Sequence, residues 1–290
     1  MRIHVVANKN WEVEPLLNAF LTRKVYSNIG LPSEIRWPTS VRQNLESYRA
    51  LFTTKNGQSI KVSCIQDFIT DFAREKSSQY KYEQALPNLF VGDDSELIVC
   101  FGTAGYSERI AINGSAMVGH HFFVHNGRTD NPESHLILPE EGKLIGADLV
   151  DSKIGQIYDV LRPERLGVQI ASLMQLPPNT SCSRPFIAAT STNVAVSVIN
   201  ITNYDDYASA DQAGLADLAA VAPHSRPASV ETTHGLIACY ALEHMGNVSI
   251  MWVSAITDRE GLFDFEVTPM QSYVCAYNGG LALAEAIDSL

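Results

Sequence analysis

No stretch of this chain is built like a membrane span. The apolar start of MRIHVVANKNWE is short for a signal peptide and is soon interrupted by Lys9 and Glu12. An excess of positive charge is lacking as well. With 21 Lys and Arg against 32 Asp and Glu, the formal charge of −11 would repel a phosphate backbone or an anionic lipid face. Nucleic acid and membrane are therefore not expected as partners, while free nucleosides remain open. The five cysteines, Cys64, Cys100, Cys182, Cys239 and Cys275, are odd in number and show no CxxC spacing. That pattern fits reduced thiols in the core of a cytoplasmic protein rather than a disulfide framework. Internal repeats, low-complexity tracts and long linkers are missing too, since Leu31–Thr39 and Leu176–Pro185 are short enough to be surface loops.

What is present is a large apolar fraction in a patterned order. Hydrophobic residues make up 46% of the 290 positions and charged residues 18%, enough to bury a sizeable core. Strand-like runs lie at Ile3–Ala7, Leu51–Thr54, Ile60–Ile65, Leu97–Phe101, Phe122–His125, Phe186–Ala189, Val194–Ile199 and Val248–Ile256. Helical patterns occupy Val13–Thr22, Ala73–Leu86, Arg165–Leu173, Asp211–Val221, Val230–His244 and Thr268–Ile287. Strands interleaved with helices of this length predict an α/β fold: one domain over 1–290, with a mixed, mostly parallel central sheet flanked by helices.

Four segments carry groups able to do chemistry. The run NVSIMWVSAITD reads as a strand buried on both faces whose carboxyl end bears Asp258, and ligands of open α/β sheets bind beyond such ends. After the strand ELIVCF comes Gly102-Thr103-Ala104-Gly105, small residues that admit a ligand to the backbone or simply make a tight turn. The segment has neither the Gly-Lys-Ser/Thr of a Walker A loop nor a GxGxxG fingerprint. Glu12 stands in the first turn of a helix, where an acid also complements the helix dipole. Ser229-Val230-Glu231-Thr232-Thr233-His234 opens another helix, where polar residues serve equally as caps.

Taken in order, MRIHVVA…WEVEPLL, IVCFGTAG, SVETTHGLIACYAL, SAITD and AYNGGLALAEAI resemble the landmarks of the nucleoside phosphorylase/nucleosidase superfamily. They are most similar to those of the methylthioadenosine/S-adenosylhomocysteine nucleosidases. The resemblance implies that Asp258 protonates the leaving purine and that Glu12 orients the attacking water. It further implies that Thr103 and Gly105 lie near the sugar or nucleophile, with Glu231, Thr232, Thr233 and His234 on the sugar side. Tyr204, in NITNYDDY, matches loosely the loop that stacks on the base, and as an aromatic side chain it would equally suit a core. The chemistry calls for such groups independently, because cleaving an N-glycosidic bond needs a proton for the base and a carboxylate for the water at C1′. No cofactor is implied, and a homo-oligomer, dimer or higher, is expected.

The departures are informative. Hexameric phosphorylases carry an Arg two residues before the Gly of the GT/GS motif and another in the first loop, where this chain has Cys100 and the Arg-free NKNWE; hydrolysis is expected over phosphorolysis. The family helix opens E-M-E where this one has Glu231-Thr232-Thr233, the Arg four residues before the catalytic Asp is Ser254, and a Gly-rich turn is replaced by Gln66-Asp67-Phe68-Ile69-Thr70. A different sugar or sugar substituent fits these changes. The expectation is therefore a purine nucleosidase or related N-ribosidase. A phosphorylase and a catalytically silent nucleoside-binding protein are the alternatives. In HHFFVH, His121 and His125 share a strand face and offer two imidazoles to a metal, but no third ligand follows by spacing and a structural role is expected.

Overall fold

The structure, a computed structural model, describes residues 1–25, 48–126, 138, 141–146, 152–162, 170, 172–180, 182, 184–199, 204–225 and 227–290. At its centre lies the apolar run 97–106, which forms a long strand, β4 (Leu97–Tyr106). Around it the chain places β1 (Arg2–Ala7), α1 (Asn10–Arg23), β2 (Ala50–Thr53) and β3 (Ser59–Cys64), then β5 (Ala116–Gly119), β6 (His121–His125) and β7 (Leu144–Ile145). There follow α2 (Ser152–Val160), β8 (Ile187–Ala189), β9 (Val194–Val198), α3 (Tyr204–Val221), β10 (Ala228–Val230), α4 (His234–His244), β11 (Ser249–Arg259) and α5 (Pro269–Asp288). The described strands join in one 11-stranded sheet whose main path runs β2-β3-β1-β4-β10-β9-β6-β7. Off that path, β11 pairs with β4 and β5, and β5 pairs with β8. Parallel pairings predominate, as in the expected α/β class.

The way β4 is shared creates the opening at the centre. On one edge β1 runs parallel to β4 only as far as Ala7 beside Phe101. Farther along, β10 joins antiparallel, Val230 facing Gly105 and Ser229 facing Tyr106. Gly102, Thr103 and Ala104 lie between these partners and, among the described strands, pair only with β11, on the other edge. A gap in one ladder thus exposes backbone donors at mid-strand, where a ligand or a side chain can take them.

Two helices from the ends of the sequence cover one face. Thr268 caps α5, its hydroxyl accepting the Gln271 N–H at 3.2 Å, and Pro269 opens the helix where no N–H is required. Glycines let α5 approach closely. A methyl on Gly280 would meet Ala19 Cβ at 2.8 Å and Leu16 Cα at 3.1 Å, and one on Gly279 would meet Ala255 Cβ at 2.9 Å. The position of α1 is thereby fixed by α5.

Several elements differ from expectation. GTAG is part of β4 rather than a turn after it. Val230 ends a strand and α4 begins only at His234, because β10 completes the antiparallel pairing with β4 and the parallel one with β9. The helix expected over Ala73–Leu86 is broken into a 3-10 turn at Phe72–Arg74, a turn of helix at Ser78–Tyr80, a π turn at Lys81–Ala85 and a last turn at Leu86–Leu89. The Ser77 hydroxyl restarts it by accepting the Tyr80 N–H, and Pro87, which has no N–H and crowds the carbonyl four residues back, follows the widened turn. Most of the helix expected over Arg165–Leu173 lies outside the described residues. None of the helices among the described residues is long and apolar enough to cross a membrane.

Candidate active site

A cavity of about 470 Å³ opens over the gap in β4. Its walls include Glu12, Thr103, Gly105, Glu231, Thr232 and Asp258. Six side chains or backbones singled out by sequence order therefore meet at one place, brought there by α1, β4, β11 and the link between β10 and α4.

Glu12 bridges a helix start and the open strand edge. Its Oε2 accepts the N–H groups of Asn8 at 3.1 Å and Lys9 at 2.8 Å, which is the capping role expected of an acid in a first turn. Its Oε1 accepts the Thr103 N–H at 2.7 Å and the Thr103 hydroxyl at 2.8 Å. The carboxylate thus replaces a missing strand as partner of the Thr103 amide. Burial, opposed by these donors and reinforced by the negative charge of Glu231, raises its pKa to about 7.

Glu231 is held by the opposite wall. Its oxygens accept the Asn8 side-chain amide at 3.2 Å, the Thr233 hydroxyl at 2.5 Å, the Thr233 N–H at 2.6 Å and the His234 N–H at 2.7 Å. The last two are free donors of the α4 N-terminus. Thr233 and His234, expected as sugar contacts, are instead buried behind Glu231 and anchor it, and neither lines the cavity. The His234 ring packs against Gly102, its Nε2 lying 3.9 Å from Glu231 Oε2, and burial lowers its pKa. Space at Gly102 is tight: a methyl there would sit 3.2 Å from His234 Nε2 and 3.4 Å from Glu12 Oε1.

Asp258 owes its place to a β-bulge. The register of β11 on β4 shifts between Ile256 and Asp258, so Thr257 has no opposite residue, and consecutive side chains Thr257 and Asp258 both reach the cavity. The Thr257 carbonyl, displaced from the ladder, accepts the Asn113 amide at 2.7 Å and the Gln271 amide at 2.9 Å. The Thr257 hydroxyl donates to Asp258 Oδ1 at 2.5 Å. Burial raises the Asp258 pKa to about 7, the Thr257 bond opposing and Glu266 adding to the rise. An acid in this state is protonated in a substantial fraction at neutral pH.

No family sequence model matches the chain, and no curated protein sequence does. Solved structures do. A 5′-methylthioadenosine/S-adenosylhomocysteine nucleosidase from Colwellia psychrerythraea, in complex with adenine, matches with a TM-score of 0.58 at 12% identity, over 100% of this chain and 96% of that one. The futalosine hydrolase of Helicobacter pylori matches with a TM-score of 0.57 at 12% identity, over 100% and 98% of the two chains. The nucleosidase of Neisseria meningitidis in complex with methylthio-immucillin-A gives a TM-score of 0.55 at 12% identity, over 100% and 99%. The chain has the nucleosidase fold. At this identity the likeness is one of architecture, with no residue of the site carried across by it.

Within that fold some groups lie where sequence reasoning did not look. Asn8, Lys81, Asp211 and Glu260 also line the cavity. Asp211 and Glu260 share a hydrogen bond, and both are pushed upward, first by burial and then by neighbouring negative charge, Glu260 to about 7. Gly105 leaves room between acids, since a methyl there would lie 3.4 Å from both Asp258 Oδ2 and Glu260 Oε2. Glu260 follows Asp258 by two residues and could have been suspected from that; Asp211 and Lys81 sit on helical segments whose turns only the fold reveals. Tyr204 opens α3, and its side chain lies outside the described residues.

Among the described residues no group of three or more His, Cys, Asp and Glu could hold a metal. His125 Nε2 is 2.9 Å from Asp217 and the His120 Nδ1 is hydrogen-bonded to the Tyr158 hydroxyl, so these imidazoles have structural partners. The five cysteines are unpaired, four of them buried, and burial raises the thiol pKa of Cys64 and Cys100. Arg259 is engaged by Glu266 at 2.8 Å and by the Arg109 carbonyl at 3.1 Å.

Proposed function

We propose that the protein is a nucleosidase, hydrolysing the N-glycosidic bond of a purine nucleoside or related N-riboside. The observation that carries the reading is the presence in one cavity of two buried carboxyls from different elements, each with its pKa near 7. The four donors around Glu12 favour its ionised form, since a carboxylate with both oxygens accepting has no proton to place. Among the described residues Asp258 has one hydrogen-bond donor, on Oδ1, which leaves Oδ2 to carry a proton. The pair thus divides into base and acid without a metal step being invoked.

In this reading Asp258 protonates the leaving base as the sugar gains positive charge. Glu12 orients the water at C1′. The Thr103 hydroxyl holds the fourth acceptor position of Glu12 and must rotate to admit that water, which a free hydroxyl rotor can do while the Thr103 amide keeps the carboxylate in place. Glu231 and Thr232 face the sugar, and Gly105 forms the wall between sugar and base. Glu231 is the carboxylate that the SVETTH segment contributes to the cavity, so it is assigned the hydroxyl-gripping role otherwise left without a side chain by Thr233.

Water rather than phosphate is the proposed acceptor because, among the described residues, no Arg lines the cavity and Arg259 is held by Glu266. The test is base release from a panel of purine nucleosides with and without inorganic phosphate. Free ribose formed at a rate independent of phosphate is the expected result; ribose 1-phosphate as the product would replace hydrolysis by phosphorolysis. Binding of a nucleoside without base release over hours would instead favour a silent binding protein on this fold.

A further inference from the structure

The cavity is electrically divided. Asp211, Asp258 and Glu260 gather at one side, where burial first, then Glu260 and then Asp258 push the Asp211 carboxyl upward. On the β1 and β3 side the wall carries Lys9, Lys76 and Lys81 instead. Lys81 begins the π turn and is 6% exposed, yet it lines the cavity. Burial, and then the charge of Lys9, lowers its pKa to about 8, while Glu231, Glu75 and Glu12 oppose the fall. It is still an ammonium at neutral pH.

Each carboxylate near that ammonium is already supplied with donors. Glu75 Oε1 accepts from Lys9 Nζ at 2.7 Å and from the Gln66 amide at 2.8 Å. Glu12 has the amides of Asn8, Lys9 and Thr103, and Glu231 has Asn8, Thr233 and His234. Among the described residues none forms an ion pair or hydrogen bond with the Lys81 ammonium. A buried cation that reaches a cavity with its donors unspent is costly unless an anion arrives to meet it. Asp258 stands on β11 at one edge of β4, and the Lys81 segment is grouped with the β1 and β3 side at the other. A nucleoside with its base at Asp258 and its sugar at Glu12 and Glu231 would turn its remaining substituent toward Lys81.

We infer that Lys81 receives an anionic group, a carboxylate or phosphate carried on the sugar of the substrate, and that the enzyme selects such N-ribosides over uncharged ones. This rests on the nucleosidase reading above.

The experiment compares kcat/KM for adenosine, adenosine 5′-carboxylate and adenosine 5′-monophosphate in the wild type, Lys81→Met and Lys81→Arg. The wild type should prefer one of the anionic substrates by about 10- to 100-fold, the scale of a close desolvated charge pair. Lys81→Met should reduce that ratio to within about threefold, and Lys81→Arg should restore most of it. A purely structural lysine would change all substrates together and leave the ratio intact, which would overturn the inference; so would a wild-type preference for adenosine. A free anion is separated by adding inorganic phosphate. If phosphate accelerates base release, yields ribose 1-phosphate and loses its effect in Lys81→Met, Lys81 holds the acceptor and the substituent assignment is wrong. If no substrate is cleaved, the nucleosidase reading fails by itself, and calorimetric titration with adenosine 5′-monophosphate still decides Lys81. Binding weakened about tenfold or more in Lys81→Met supports the anion site, and equal binding or none refutes it.

Discussion

In the variant Asp258→Asn the side chain keeps its size and an oxygen to accept the Thr257 hydroxyl, but has no proton to deliver. Turnover should fall by about 10² to 10⁴, the range for losing general acid catalysis, while nucleoside affinity changes little. The same substitution has a second effect that a simple loss of function would not produce. Asp258 is 5% exposed, and its pKa rises from 3.8 to about 7 on folding, so the folded state holds the proton more tightly than the unfolded one. The associated stability is complete below the unfolded value and is lost as pH climbs toward 7. Above pH 7 the wild type keeps an ionised carboxylate in a site that disfavours it, at a cost of roughly 4 kcal/mol as an upper value. Asparagine does not titrate. The variant should therefore match the wild type near pH 4 and exceed it at pH 8, by about 5 to 10 °C in Tm. Steady-state base release and thermal melts at the two pH values measure both effects. Undiminished turnover would refute the acid assignment, and a stability difference that did not grow with pH would refute the buried, proton-holding state of Asp258.

Two further outcomes follow from the geometry. The proposed mechanism needs Glu12 ionised, a fraction that rises through about pH 7, and Asp258 protonated, a fraction that falls through about the same value; kcat/KM should be bell-shaped with its maximum near pH 7, and a monotonic profile from pH 5 to 9 would contradict the division of roles. Gly102→Ala would place a methyl 3.2 Å from His234 Nε2, so the imidazole must give by a few tenths of an ångström, and in van der Waals contact with Glu12 Oε1 at 3.4 Å. The variant should fold, as shown by circular dichroism, but lose about tenfold or more in kcat/KM because the displaced imidazole lies 3.9 Å from Glu231, the carboxylate proposed to hold the sugar; unchanged kinetics would argue that the seat of Glu231 does not bear on the reacting centre.

That Glu12, Thr103, Gly105, Glu231 and Asp258 line one cavity was legible in the order of their segments, the order that carries the family resemblance. Each stands at or beside an apolar run, and the order of those runs predicts a parallel sheet whose strand ends converge. The bulge that turns Asp258 into the cavity was not legible, since it depends on Asn113 and Gln271 arriving from elsewhere to take the Thr257 carbonyl. Nor was the strand character of GTAG. Small residues there suggest a turn, and only the pairing with β11 extends the strand through them. Thr233 and His234 looked like ligand groups because they are polar at a helix start, and in the fold their amides hold Glu231. Lys81 was hidden for a different reason: its segment reads as an ordinary amphipathic helix, and the π turn that brings it to the cavity has no signature in spacing alone.

The insertion of β11 between β4 and β5 bears on how the molecule is assembled. It is the last strand in sequence and among the most central in space, so the contacts that complete the sheet span most of the chain, a topology that folds slowly. Until β11 docks, β4 and β5 each present an open edge, and such edges pair readily with other chains. The same strand carries Asp258, and α5, which follows it, sets the position of α1 and hence of Glu12. A collapsed intermediate lacking β11 would therefore contain neither of the two carboxyls in working position, and recovery of activity during refolding should report on closure of the sheet rather than on the formation of secondary structure.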